Sequence, residues 1–205
     1  MENGKLIIFE AIDGAGKTTQ LELAYQELKA QGYEVVKTRE PGGTVVGEKI
    51  RDVLLSDIEM NPITRAYLYA SSRAEHNIQI DKWIKEGKIV LCDRHMLSSL
   101  IYNKDPEKKY SVYLINSYAN NILLDHNIDM NYILLDIDKE NFFKRIKSRE
   151  EINHLDLETI EFFEKRRKMY LTTGKYFSAK IIDSNGTIDE THNKIMKEIK
   201  SIIEK

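Results

Sequence analysis

The stretch IIFEAIDGAGKTTQLELAYQEL, residues 7–28, joins an apolar run to a glycine-rich turn ending in Lys-Thr-Thr and then to an amphipathic helical pattern. A strand that feeds a helix through such a turn is the opening unit of an α/β fold, and its chemistry lies in the turn. The pattern GxxxxGK[ST] uses backbone angles open to glycine to aim successive N–H groups at phosphate oxygens. A helix N-terminus lies beneath them, a lysine adds charge, and a hydroxyl serves Mg²⁺. AIDGAGKT fills the pattern with Ala11 in place of the first glycine and keeps Gly14, Gly16, Lys17 and Thr18. Alanine in a β-region conformation is compatible with that position; alanine forced to positive φ is strained. The expected cradle is Asp13, Gly14, Ala15, Gly16, Lys17, Thr18 and Thr19, with Lys17 reaching the transferring phosphate and Thr18 ligating Mg²⁺.

Outward from this unit, short β-branched or aliphatic runs alternate with helical patterns. KLIIFE, EVVKT, KIVLCD, NYILLDI and KIIDS read as strands, several too uniformly apolar to have one wet face. Helices are predicted over roughly 17–31, 45–55, 62–85, 110–126, 138–148, 156–176 and 188–203. That alternation is the pattern of a parallel sheet covered by helices. With 205 residues and no Pro-, Gly- or Ser-rich linker, residues 1–205 are expected to form a single domain. The segment RIKSREEINHLDLETIEFFEKRR, residues 145–167, is charge-rich. It fits a solvated helix face with ion pairs at i, i+4, and its late position also leaves room for a mobile lid.

Composition narrows the partners. The 31 basic and 33 acidic residues are mixed along the chain, for a net charge of -2, so no general attraction to nucleic acid or membrane is expected. An anion must then be bound by local geometry. Cys92 is the only cysteine and sits in the apolar run IVLCDR, which reads as a packed thiol and allows no disulfide within the chain. The N-terminal MENGKLIIFE lacks a signal-peptide pattern and no run approaches membrane-spanning length, so a soluble cytoplasmic protein is expected.

The phosphate turn alone leaves GTPases, ATPases and small-molecule kinases open, and three further stretches decide between them. TREPGGT, residues 38–44, follows the second strand, and its Pro-Gly-Gly brings backbone close to a ligand or simply turns the chain. YLYASSRAEH, residues 67–76, puts Tyr69 and Arg73 on one helical face. That pair suits stacking and hydrogen bonding to a base, and equally a core tyrosine beside a surface arginine. DRHMLSSLIY, residues 93–102, ends the third strand with Asp93-Arg94, where α/β sheets bind ligands and where a strand-end ion pair is also at home.

Taken together, these stretches resemble bacterial-type thymidylate kinases, whose pattern runs FEGxDGAGK[ST]T, TREPGGT, LLFAADRAQH and DRYxxSSxAY. The resemblance extends more weakly through FFEKRRKMY to the C-terminus, covering nearly the whole chain. It implies a three-layer P-loop kinase domain with a five-stranded parallel sheet in the order 2-3-1-4-5, a helical lid at about 142–156, and a homodimer. The predicted helices at about 45–55 and 62–85 are candidate dimer faces, and their apolar stripes equally suit the core. The implied reaction is phosphorylation of dTMP to dTDP with Mg²⁺ and ATP in dTTP synthesis, with ATP held at Asp13–Thr19.

By resemblance, Arg94 and Arg51 hold the acceptor phosphate, and Asp13 lies between the acceptor's sugar and phosphate end and the P-loop. Tyr69 stacks on thymine in place of the usual Phe, Arg73 donates to a thymine carbonyl oxygen, and Ser99 sits near the base edge. Tyr102 packs against the deoxyribose, and Asp93 helps place Mg²⁺ directly or through water. The catalytic set is then Lys17, Arg94, Asp13 and a lid arginine. The stretch REEINHLD supplies Arg149 for that last role, with Arg145 one turn earlier as the alternative, and has Asn153-His154 where Asp-Arg is usual. His95 replaces the usual Tyr and Ser72 the usual Asp, which opens the acceptor base to question. Two other readings stay open: a kinase of another deoxynucleotide or nucleoside, and a P-loop regulatory module with weak or no transfer.

Overall fold

The computed structural model describes residues 4–102, 109–147 and 154–204, with side chains described from residue 161 onward in the last segment. In chain order the elements are β1 (Lys5–Ala11), α1 (Lys17–Ala30), β2 (Val35–Arg39), α2 (Val45–Leu55), α3 (Pro62–Lys85), β3 (Ile89–Asp93) and α4 (Met96–Ile101). They continue with α5 (Lys109–Tyr118), α6 (Asn121–Asp125), β4 (Met130–Asp136), α7 (Lys139–Lys147), α8 (His154–Tyr176), β5 (Lys180–Asp183) and α9 (Ile188–Ile203).

The five strands form one sheet in the expected order, β2-β3-β1-β4-β5, and every neighbouring pair is parallel. β1 is the central strand: Ile8 is in register with Cys92 on one side and Tyr132 on the other. It is buried from Leu6 to Ala11, which explains a run with no polar alternation on its flanks. Helices α1 and α9 pack together against the sheet, while α3, α4 and α8 cover the sheet elsewhere, with α2 and α5 packed on α3. α9 presents Ile195, Met196, Ile199 and Ile202 to the core and starts with a capping box between Thr187 and Glu190.

Several boundaries differ from the sequence expectation for identifiable reasons. The helix expected over about 110–126 is two helices, and Asn120 at the break is buried, accepting from Asn77 Nδ2 at 3.1 Å and donating to Met96 Sδ at 3.3 Å. α4 was not foreseen, because its 6 residues are too short to display a helical period. α8 bends at Phe162, whose φ of -107° and ψ of 16° lie outside the helical region. In the expected lid, Phe142 and Ile146 of α7 are core residues, with the Phe142 ring 4.5 Å from that of Phe163. Residues 148–153, with Arg149, lie outside the described residues.

Candidate active site

The phosphate turn leaves β1 at Ala11, which is still a strand residue in register with Leu135. That position needs no positive φ, so alanine is accommodated; Gly14 (φ 89°) and Gly16 (φ 92°) make the left-handed turns. Gly16 caps α1 with no side-chain hydrogen bond, so the first-turn N–H groups point at the turn without a capping side chain. A Cβ on Gly14 would come within 3.0 Å of the Phe142 ring, so α7 supports the turn closely.

Lys17 is buried, and its ammonium rests against the carboxylate of Asp93 at the end of β3. Burial, with Arg94 nearby, lowers the Lys17 pKa, and Asp93 pulls it part of the way back. Thr18 Oγ1 donates to the other Asp93 oxygen at 3.4 Å, and Thr18 and Thr19 are both exposed. This donor set is one hydroxyl and one carboxylate, and among the described residues no three His, Cys, Asp or Glu converge. Such a sparse oxygen set fits Mg²⁺, which keeps water and substrate-phosphate ligands and needs few from the protein.

Arg94 follows Asp93 and reaches back to the same turn. Its φ of 68° is unusual for a residue with a side chain. Nη1 donates to Ala11 O (3.2 Å), Ser98 Oγ (2.8 Å) and Tyr170 Oη (3.0 Å), and Nη2 pairs with the Asp13 carboxylate. Asp13 also accepts from Tyr102 Oη at 2.6 Å. Burial raises the Asp13 pKa, but Arg94, the Tyr102 hydroxyl, Lys17 and Arg166 outweigh it and hold the carboxyl below its ordinary value. Arg166 lies over the Tyr102 ring, 4.8 Å from its centroid.

Beneath this cluster Glu10 fixes the loop that carries Arg94. It accepts from His95 N (2.8 Å), Ser98 N (3.2 Å) and Ser98 Oγ (2.5 Å). Burial raises its pKa, against the lowering pull of Arg94 and these donors.

A third group lies along α3. Arg73 is buried and donates from Nε to Glu40 Oε2 at 2.7 Å, from Nη2 to Ser99 Oγ at 2.9 Å, and from Nη1 to Asn116 Oδ1. Tyr69, one turn earlier, is half-buried. Arg51, on α2, donates from Nη1 to Pro41 O at 2.8 Å. The Pro-Gly-Gly turn is held from both sides: Gly42 N donates to Ser72 Oγ at 3.1 Å and Gly43 N to Glu48 Oε1 at 3.0 Å. Ser72 and His95, expected around the acceptor pocket, are both buried, Ser72 against Gly42 N and His95 between Tyr132 and Asn77.

The structure therefore brings together Asp13, Arg94 and Tyr102, then Lys17, Thr18 and Asp93, then Arg73 and Ser99, all where β1, β2 and β3 end. Arg145 takes a supporting position: Nη1 donates to Ala15 O at 3.0 Å and Nη2 to Ser184 O at 2.5 Å. Sequence reasoning missed Glu10, Glu40, Ser98, Asn116, Arg166 and Tyr170. A carboxylate inside the apolar run IIFEAI was a signal for Glu10, because a buried charge needs a task. Arg166 and Tyr170 sit at i, i+4 on one helical face, a weaker signal. Asn116 carried none.

The family model described as thymidylate kinase matches residues 9–195 of this chain. The chain is also similar to named thymidylate kinases over nearly its full length. That of Thermoanaerobacter sp. is 38% identical, covering 98% of this chain and 98% of its own. Those of Bacillus licheniformis (37%; 98% and 96%) and Caldicellulosiruptor saccharolyticus (35%; 98% and 98%) are similar to the same extent. With the expected fold, a phosphate turn whose Asp13 pairs with Arg94, and likeness from end to end, this chain belongs to the thymidylate kinase family.

Proposed function

We propose that the chain transfers the γ-phosphoryl group of ATP to dTMP, giving dTDP and ADP on the route to dTTP, with Mg²⁺ as cofactor. An oxygen of the dTMP phosphate forms the new bond to phosphorus, the bond to the β,γ-bridging oxygen breaks, and its electron pair leaves with ADP. The protein's task is to align the two nucleotides and to neutralise charge. Asp13–Thr19 cradle the ATP phosphates, and Lys17 meets the transferring group. Arg94 and Arg51 hold the acceptor phosphate, and Arg149 adds charge from the lid stretch. Asp13 and Tyr102 align the sugar and phosphate end of the acceptor; Tyr69, Arg73 and Ser99 receive the base. Thr18 and Asp93 would hold Mg²⁺, directly or through water, where it offsets phosphate charge.

The observation that carries this reading is the ion pair between Arg94, from the end of β3, and Asp13, inside the turn after β1. It makes the arginine suited to an acceptor phosphate and the donor's phosphate turn a single construction. A homodimer belongs to the same reading: Val46 and Val53 on α2 and Tyr67 and Ile78 on α3 are exposed, a surface suited to a second copy. So does a cytoplasmic location, where the unpaired Cys92 remains a thiol. Among the described residues no helix is long and apolar enough to cross a membrane.

The test is ADP release from Mg²⁺-ATP with dTMP, dUMP, dCMP, dGMP and thymidine offered separately. Fastest turnover on dTMP is expected. Turnover confined to another acceptor would reassign the pocket, and ATP binding with no transfer to any of them would point to a regulatory module.

A further inference from the structure

Behind the acceptor-base wall lies a sealed group of ionisable side chains: Glu40, Arg73, His76 and His95, none more than 5% exposed. Glu40 Oε2 receives Arg73 Nε. Glu40 Oε1 faces His76 Nδ1 at 3.1 Å and His95 Nε2 at 3.3 Å. The ring protons are fixed by their surroundings. His95 Nε2 also faces Asn77 Oδ1 at 3.4 Å, so it meets acceptors only and carries the hydrogen, while Nδ1 accepts from Tyr132 Oη at 3.1 Å. His76 carries its hydrogen on Nδ1 and accepts from Thr38 Oγ1 at 2.6 Å through Nε2.

Arginine and carboxylate prefer a two-pronged pairing. Here Glu40 gives Arg73 only one oxygen, because the two imidazoles hold the other. A fork would draw one of the two Nη2 hydrogens toward Glu40 and turn the guanidinium with it; here Nη2 donates to Ser99 Oγ instead. We infer that His95 is a positioning residue for acceptor-base recognition, holding Glu40 Oε1 so that the Arg73 guanidinium stays turned toward Ser99. This rests on the reading above, in which Arg73 and Ser99 meet the base. His95 also follows Arg94 directly, so one loop sets both ends of the acceptor site.

The experiment compares wild type with His95→Phe, His95→Asn, His95→Gln and Arg73→Met. It reads kcat and KM for dTMP, and the inhibition constant of 2-deoxyribose 5-phosphate, an acceptor fragment without a base. Gln places a donor near the position of Nε2, whereas Asn is too short to reach Glu40. His95→Phe and His95→Asn should raise KM for dTMP by about tenfold or more, the worth of one hydrogen bond to a charged group. His95→Gln should stay within about threefold of wild type, with kcat and the fragment's inhibition constant little changed in all three. If His95→Phe does not fold, the Asn and Gln pair carries the comparison. The inference is overturned if Asn and Gln behave alike, or if the fragment's inhibition constant rises in step with KM, which would place the effect at Arg94. If Arg73→Met leaves KM for dTMP unchanged, the base-contact reading fails too; if it raises KM while the His95 variants do not, the inference fails alone.

Discussion

The burial of His95 should appear as acid sensitivity of the fold, removable by one substitution. Burial holds its pKa at about 3, down from 6.5, with Glu40 pulling the other way and Arg73 and His76 adding to the lowering. The folded chain therefore binds fewer protons at this site than the unfolded chain between those values. Stability is present above 6.5 and falls as pH drops through that window. From pH 7 to 5 an unfolded imidazole takes up most of a proton and the folded one almost none, which amounts to about 2 kcal/mol. Glu40, held at about 2 by Arg73, His95 and His76 against its burial, adds a loss of the same sign, but below its ordinary 4.5 and so largely outside this interval. His95→Gln removes the titrating group and keeps a donor. Denaturant unfolding of wild type and variant at pH 7 and pH 5, at one protein concentration, should give wild type an extra loss of about 2 kcal/mol. Equal losses to within about 0.5 kcal/mol would refute the reasoning, since the imidazole would then titrate alike in both states.

Other consequences are simpler. Gly14→Ala puts a side chain at φ 89° against Phe142 and should cost about 1–3 kcal/mol in stability and weaken ATP binding; an unchanged melting midpoint would contradict this. Asp93→Asn removes the charge facing Lys17 and Thr18, and the rate should need about tenfold more Mg²⁺ to reach its plateau. An unaltered Mg²⁺ titration would remove Asp93 from the metal site. Thr187→Ala breaks the capping box of α9 and should lower stability by about 1 kcal/mol in denaturant unfolding; no shift in the midpoint would mean that the box contributes nothing.

What the sequence made legible was whatever is local. The phosphate turn announces itself within eight consecutive positions from Ala11 to Thr18, and β1 is recognisable because a strand covered on both faces is a near-continuous apolar run, interrupted here by Glu10. The effect of Ala11 could not be read, because it depends on where β1 stops, and the strand includes that residue. The supports of the site were hidden because they come from elsewhere in the chain. Glu40 meets Arg73 across 33 positions, and Glu10 meets Ser98 across 88. Nothing in either local stretch states the pairing. Arg166 lies at the end of, and Tyr170 just follows, a charge-rich segment whose pattern suited a solvated face equally well, and only the packing of α8 over Tyr102 distinguishes them.

If the fold and site work as described, this chain makes dTDP. Identifying the products formed from dTMP and Mg²⁺-ATP by phosphorus NMR tests it most directly. dTDP and ADP should appear together in equal amounts. ADP with inorganic phosphate and intact dTMP, or no reaction, would contradict it.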